Sequence, residues 1–505
     1  VASHICQHHS TSLLLSDTND INPTKATIKQ NSSNNPRGHI ISADSVQAYE
    51  GVQIGANKPS QKERDAVPHY LVDVVSSDGH YTAGEWMRDA TGIIAALTTK
   101  TCDDDDDLEK NDANVLNSDD NHFDFNSEFH DDSIYAKAAL QSRMQHYNNE
   151  PILPVVVGGT MMYVQWLVHG RPDAPKPSPE IVAKADAVVR KYQQMDVDKN
   201  KDQDEECISG WDAAVRDYSA KLGSAFEARM NKLGRNDWYR LRRTLEVIYS
   251  TSTNNNKNNT THQQASNSII NEAIESIYKG RRYDGLVDLG YDVRCFFLCP
   301  HDRMRHTAII DSRCEDMLIQ GLLSETAHLS LANQLPDDGQ PARAIGYRQT
   351  LDYLRRSNAK PNDKAAWNQY VETFCTATRQ YAKKQMQWFR RDDAFCFVPV
   401  DLNCEASVRV GDAANLVLQF CEMSREEYEA ELRGDKANAA AATEQLSSHA
   451  IAGLSWRTKQ ENEAQGKGMK FYTPKRYKLI DGTDVYDAVL KEADECTSQM
   501  QGLEW

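Results

Sequence analysis

Short apolar runs that stop abruptly at polar residues or glycine organise the first third of this chain. Pro154-Val155-Val156-Val157 is continuously apolar and ends at Gly158-Gly159-Thr160, as a parallel strand buried on both faces does. Runs of this kind predict strands at 39–43, 70–75, 152–157 and 293–298. Residues 179–250 and 301–390 read as mainly helical. The order is an α/β portion, a helical portion and a return to the first, which predicts segments 1–175, 176–290 and 291–400, followed by a C-terminal extension at 401–505. Past about residue 400 the pattern weakens, apart from helix-like stretches around 406–432 and an Ala-rich run at 438–442. The polar runs at 196–206 and 253–268 read as additions to a compact framework, the second rich in Asn, Thr, Ser and Gln and expected to be disordered.

A length of 505 residues suits two or three domains. The net charge of −17 argues against a nucleic-acid partner until its distribution is considered. Residues 102–132 hold thirteen Asp or Glu against one Lys, so this expected solvated insertion carries twelve of those charges and the framework is nearly balanced. No run of 18 apolar residues is present, which predicts no transmembrane helix. The eleven cysteines are scattered without a Cys-x-x-Cys pair, as expected for reduced thiols inside a cell. Because the first residue is Val, the natural N-terminus is expected upstream with any targeting peptide, which leaves cytoplasm, mitochondrion and plastid open.

Candidate chemistry begins where the first strand ends. In Ile40-Ile41-Ser42-Ala43-Asp44-Ser45-Val46-Gln47, a carboxylate follows a buried strand, the place where α/β enzymes keep their reacting groups. Asp44 fits a general base, with Ser45 and Gln47 beside it to hold a substrate, and it equally fits a cap for the following turn. Gly158 and Gly159 let the backbone approach a ligand or simply turn tightly before Thr160. Asn236-Asp237 caps a helix bearing Arg240, Arg243 and Glu246 on one face, either a contact surface or a solvated face with internal ion pairs. Arg379, Lys383, Met386 and Arg390 form a largely basic stripe suited to tracking phosphates. Arg343-Ala344-Ile345-Gly346-Tyr347-Arg348 joins a glycine turn to two guanidinium groups and a ring suited to stacking on RNA.

Seven blocks in order carry a resemblance over about residues 38–391: IISADSVQAYEGVQIGANKP at 40–59, VPHYLVDVV at 67–75, YTAGEWMRDA at 81–90, VVVGGTMMYV at 155–164, NDWYRLRRTLEV at 236–247, ARAIGYRQTLDYL at 342–354 and TRQYAKKQMQWFRR at 378–391. They closely resemble the tRNA dimethylallyltransferase (tRNA isopentenyltransferase) family. The resemblance implies an α/β fold with a P-loop-NTPase-like parallel sheet core, a mainly helical tRNA-binding insertion, and a monomer. It also implies transfer of a dimethylallyl group from dimethylallyl diphosphate to the exocyclic amine of an adenosine beside the anticodon, with Mg2+ and cations stabilising the departing diphosphate. Asp44 matches the family's base and Arg313 an arginine on the diphosphate. Contact with the tRNA anticodon stem-loop is implied for Asp44, Ser45, Val46, Gln47, Thr160, Tyr239, Arg240, Leu241, Arg242, Arg243, Arg343, Ala344, Ile345, Gly346, Tyr347 and Arg348, with Gly158 and Gly159 along the donor channel.

The chain departs from the family pattern in three places. The family's glycine-rich phosphate loop does not precede Val1-Ala2-Ser3-His4-Ile5-Cys6, which resembles the helix after that loop, so this chain is expected to be weakly active or inactive by itself. Ile309 stands where the family has an arginine, and the tail shows no two-Cys two-His zinc finger. Three rival functions bound the inference: an adenylate isopentenyltransferase acting on a free nucleotide, a catalytically dead tRNA-binding relative, and a small-molecule P-loop kinase, which would need the missing lysine.

Overall fold

The computed structural model describes residues 2–8, 38–99, 133–172, 177–202, 208–256, 282–283, 285–300, 302–337, 339–356, 360–433, 451–452 and 466–501. Two compact units divide the chain: Val1–Leu167 with Asp292–Trp505, and Val168–Tyr291 inserted between them. The insertion begins at 168 rather than 176, and residues beyond 400 belong to the first unit instead of standing apart.

The first unit opens with α1 (Ala2–His8), β1 (Gly38–Ser42), α2 (Gln61–Ala66), β2 (His69–Tyr70), α3 (Ala83–Thr98), α4 (Ile134–Tyr147), β3 (Leu153–Val157) and α5 (Met161–His169). β1 lies between β2 and β3, parallel to both, with Ile40 opposite His69 on one side and Val155 on the other. All five residues of β1 are buried, as the middle strand of a parallel sheet requires. The expected strand at 70–75 is cut to two residues. Leu71 and Asp73 adopt left-handed backbone (φ 61° and 56°), so the chain leaves the sheet, and its amides turn to the carbonyls of Gln47 and Ala48. Ser60 with Glu63, and Thr82 with Glu85, close capping boxes that start α2 and α3.

The inserted unit comprises β4 (Arg171–Pro172), α6 (Pro179–Asp202), α7 (Gly210–Leu222), α8 (Ser224–Met230), α9 (Trp238–Asn256) and β5 (Arg282–Tyr283), which pairs antiparallel with β4. Ala185, Val189 and Tyr192 of α6 meet Trp211 and Ala214 of α7, Phe226 of α8, and Leu241, Leu245 and Ile248 of α9 in one core. Helices extend into both polar runs, through Asp202 in the first and Asn256 in the second. Residues 203–206 and 257–268, the acidic insertion at 102–132 and the Ala-rich run at 438–442 lie outside the described residues.

The first unit resumes with β6 (Cys295–Pro300), α10 (Arg303–Ile319), α11 (Leu322–Leu331), α12 (Gln340–Arg343), α13 (Tyr347–Leu354), α14 (Lys364–Phe389), β7 (Phe395–Val400), α15 (Ala406–Glu422), α16 (Arg425–Arg433), β8 (Ile451–Ala452) and α17 (Asp484–Met500). β6 and β7 are parallel over six residues, and β8 adds an antiparallel pair to β7. The architecture is α/β: small parallel sheets flanked by many helices.

The largest core joins the loop after β1 (Ala48, Tyr49, Val52) to α10, α11, α13 and α14. It is completed by Leu479, Tyr486, Val489, Leu490, Ala493, Cys496 and Met500. In α17 these buried positions recur every three or four residues, the spacing of a helix with one apolar face. The weakly patterned tail therefore forms part of the central packing.

Candidate functional site

β1 delivers its last residues to a turn that side chains over-determine. Ala43 donates its amide to Val157 across the sheet (2.7 Å), and residues 45–48 then turn. Asp44 caps that turn: its Oδ1 accepts the Val46 amide at 2.8 Å and the Gln47 amide at 3.4 Å. Among the described residues its Oδ2 accepts no hydrogen bond. The expected cap is thus present in the structure, with one oxygen fixed and the other left without a hydrogen bond among the described residues.

The neighbours of Asp44 are locked in turn. Thr160 accepts the Ser45 amide at 3.0 Å through Oγ1 and donates its own amide to Ala43. Gln47 accepts from Ser42 Oγ (2.9 Å) and donates to the carbonyls of Ala56 (3.3 Å) and Asn57 (3.1 Å). Val46 packs against the central core.

Gly158 and Gly159 are explained by crowding. A Cβ on Gly158 would lie 2.3 Å from the Ala43 carbonyl carbon and oxygen, and one on Gly159 would lie 2.1 Å from Gln385 Nε2. Gln385 and Tyr381 of α14 both donate to the Gly159 carbonyl, at 2.9 and 3.1 Å.

Aromatic residues absent from the sequence-derived site complete its surroundings. Trp86 donates its indole N–H to the Ser42 carbonyl (2.8 Å) and stacks on Tyr163 at 4.5 Å between ring centroids. The phenols of Tyr163 and Tyr381 are both pushed up, mainly by burial, with the Asp44 charge contributing to each. Asp44 therefore lies within electrostatic reach of two rings. Tyr381 was legible only within TRQYAKKQMQWFRR, and Tyr163 only within VVVGGTMMYV.

A second missed residue is Glu325 of α11. Its carboxylate accepts the amides of Gln53 (3.1 Å), Ile54 (2.9 Å) and Gly55 (3.3 Å) and the phenol of Tyr347. This overturns the expectation of a stacking ring at 347. Tyr347 is fully buried, its ring fills the space a Cβ on Gly55 would need, and its hydroxyl also accepts the Gly55 amide at 3.1 Å. Lys58, also buried, donates to the Tyr49 carbonyl and to Asp73, which Arg64 meets at 2.8 Å. The loop after Asp44 is therefore tied on both sides.

Of the basic residues around Gly346, Arg343 and Arg348 are exposed, the latter pairing with Asp352 at 3.2 Å. Ala344 and Ile345 pack on the core, and Gly346 (φ 99°) is buried. Arg313 is exposed and has no hydrogen bond or ion pair among the described residues. The phosphate-tracking stripe on α14 is incomplete, because Arg379 is bound to Asp311 (2.7 Å) and Glu372 (2.6 Å). Lys383, Lys384 and Arg391 remain exposed.

In the inserted unit Tyr239 is 64% exposed, and Arg240 beside it pairs with Asp237 at 2.8 Å. Arg242 pairs with Asp186 and Glu246, and Arg243 with Glu246. Leu241, expected among the contact residues, is instead buried in the unit's core because it lies on the opposite side of α9.

Comparison with known proteins adds independent findings. The family model described as IPP transferase matches residues 47–101 and 131–392. The chain is 32% identical over 364 residues to tRNA dimethylallyltransferase 9 of Arabidopsis thaliana, covering 70% of this chain and 64% of the length of that protein. It is 26% identical over 381 residues to tRNA dimethylallyltransferase of Protochlamydia amoebophila, covering 75% of this chain and 81% of that one. Among solved structures, a eukaryotic dimethylallyltransferase acting on tRNA aligns with TM-score 0.43 at 17% identity, covering 88% of this chain and 84% of that one. A tRNA isopentenylpyrophosphate transferase of Bacillus halodurans aligns with TM-score 0.40 at 19% identity, covering 78% and 90%.

Proposed function

Because the chain belongs to the IPP transferase family, we propose that it transfers the dimethylallyl group of dimethylallyl diphosphate to the N6 amine of the adenosine 3′-adjacent to the anticodon in tRNA. The observation that carries this reading is the divided Asp44 carboxylate, with one oxygen held by the Val46 amide and the other unengaged among the described residues. The curated relatives, named for tRNA, favour that substrate over a free nucleotide.

The lone pair of adenine N6 is delocalised into the ring, so the amine attacks carbon well only as its proton departs. Asp44 Oδ2 takes that proton while the N6–C bond forms and the C–O bond to diphosphate breaks. The diphosphate leaves with both electrons of that bond. Tyr163 and Tyr381 give the base and the prenyl group unsaturated, largely apolar neighbours. Arg313 is our candidate for the leaving charge, with Arg343 and Arg348 and, in the inserted unit, Tyr239 and Arg240 as candidates for the anticodon stem-loop. The target adenine must leave its stack to reach Asp44.

No three His, Cys, Asp or Glu side chains among the described residues gather as a resident metal site needs. Magnesium would accompany the diphosphate and help neutralise its charge. No helix among the described residues is long and apolar enough to cross a membrane. We place the reaction inside the cell, on a monomer.

The test offers labelled dimethylallyl diphosphate with an anticodon stem-loop and, separately, with AMP to the natural full-length protein and its Asp44→Asn variant. Label on the stem-loop, lost in the variant, is expected. Label on AMP alone would overturn the choice of substrate, and full transfer by the variant would overturn the role of Asp44.

A further inference from the structure

Residues 466–479 cross the first unit as a strap laid along α10. Gly468 sits beside Met304, whose sulfur would be 3.8 Å from a Cβ at that glycine. Thr307 Oγ1 reaches Met469 Sδ (4.0 Å), and Tyr472 donates its hydroxyl to Asp311 at 2.6 Å. The buried Glu315 carboxylate accepts the amides of Tyr477 (3.0 Å), Lys478 and Leu479 (3.0 Å). Positions 304, 307, 311 and 315 are one stripe of α10, so the strap runs parallel to the helix and covers that stripe. Arg379 of α14 ties the strap to the site. It binds Asp311 and lies 5.8 Å from the Tyr472 ring, while Tyr381 and Gln385 of the same helix hold Gly159 beside the Asp44 turn.

These anchors account for the inner side of the strap and leave its outer side unexplained. Lys467, Lys470 and Lys475 are exposed and make no hydrogen bond or ion pair among the described residues, and Phe471 is 80% exposed. From 466 to 480 there is no Asp or Glu, although the whole chain carries a net charge of −17. Holding the tail in place needs Tyr472, Leu479 and the backbone at Glu315; it does not need three free ammonium groups around an exposed ring. Lysines interleaved with an outward aromatic suit a polyanion that also presents flat, unstacked faces. RNA has both, phosphates for the ammonium groups and bases for the ring.

We propose that this strap is an RNA-contact surface, with Lys467, Lys470 and Lys475 on the phosphate backbone of the bound tRNA and Phe471 against one of its bases. The proposal rests on the tRNA reading above and extends it to a segment outside the residues matched by the family model.

The test measures tRNA affinity from 50 to 200 mM salt for the natural protein, for the triple variant Lys467→Ala/Lys470→Ala/Lys475→Ala, for the corresponding triple Arg variant, and for Phe471→Ala. Loss of three phosphate contacts is expected to flatten the slope of log K against log salt by about 2 to 3. The triple Arg variant should keep the natural slope, and Phe471→Ala should bind roughly 5-fold or more weakly. Unaltered melting temperatures would show that the variants are folded, as expected for side chains without partners. Equal affinity and slope in the natural protein and the triple Ala variant would overturn the proposal alone. A triple Ala variant that binds tRNA normally but leaves anionic phospholipid vesicles would assign the strap to membranes and also overturn it. Absence of tRNA binding by the natural protein at 50 mM salt would overturn the tRNA reading and the strap with it.

Discussion

Glu325 and Tyr347, on different helices of the same core, meet through carboxylate and phenol and together hold the amides of Gln53, Ile54 and Gly55. That loop supplies the two carbonyls to which Gln47 donates, three residues from Asp44. Removing the carboxylate takes an acceptor from four donors at once, of which the Gly55 amide keeps the Tyr347 hydroxyl. Glu325→Ala should destabilise the protein by about 2–4 kcal/mol, and Tyr347→Phe by about 1 kcal/mol. Denaturant unfolding measures both. If Glu325 positions the catalytic turn, turnover in Glu325→Gln should fall about 10-fold with little change in tRNA KM, whereas equal turnover would leave it a structural residue only.

Asp44 carries two duties that two substitutions separate. Asp44→Asn keeps an oxygen for the Val46 amide and should abolish transfer with a melting point close to that of the natural protein. Asp44→Ala also removes the cap, at a further cost of about 0.5–2 kcal/mol. Transfer rates and thermal denaturation of both variants check this, and equal stability would contradict the capping role.

The paired glycines should respond unequally to alanine. At Gly158 the new methyl would meet the Ala43 backbone, which cannot move without shifting the end of β1, so a loss of about 3 kcal/mol and of activity is expected. At Gly159 it would meet only the end of the Gln385 side chain, so about 1 kcal/mol is expected. Gln385→Ala should remove part of that cost, making the double variant less damaged than the sum of the singles. Additive losses would speak against the contact.

His39 sits on β1, fully buried, between the hydroxyls of Tyr70 (3.1 Å) and Tyr147 (3.0 Å). Burial pulls its imidazole down from 6.5 to about 4, so the folded protein keeps it neutral. As pH falls from 6.5 to about 4 the unfolded chain takes up a proton that the folded chain refuses. The stability contribution is therefore complete above pH 6.5 and declines through that window, by up to about 3 kcal/mol. The stability difference between natural protein and His39→Asn should shrink from pH 7.5 to pH 4.5; a constant difference would show that His39 does not titrate this way.

The sequence revealed what depends on local pattern. Apolar runs ending at Asp44 and at Gly158 marked β1 and β3, although only β1 is fully buried, whereas β3 is half-buried and ends at the exposed Val157. The shortened β2 could not be foreseen, since Leu71 and Asp73 are ordinary residues in a left-handed conformation, and the amides of Asp73, Val74 and Val75 pair with a loop more than twenty residues away. Glu325 drew no expectation, because its four donors come from residues far away in sequence. Tyr347 was misjudged for the same reason, as its partners are 22 and 292 residues away. The row Tyr486, Val489, Leu490, Ala493 was passed over within the weakly patterned tail, and no local pattern could say which core would receive it.

The contribution of α17 to the central core also bears on how the protein is made. That core unites Ala48 and Tyr49 with Leu490 and Met500, so it cannot close until residues 479–500 have left the ribosome. At roughly 5–20 residues per second, its apolar faces wait many seconds during translation, while the inserted unit, whose core uses only residues 185–249, can form much earlier. The first unit thus exposes its unclosed apolar faces for longer during synthesis than the inserted one. A premature stop after residue 433 would spare Asp44, Glu325 and Tyr347 yet yield a nascent chain that no later event could complete.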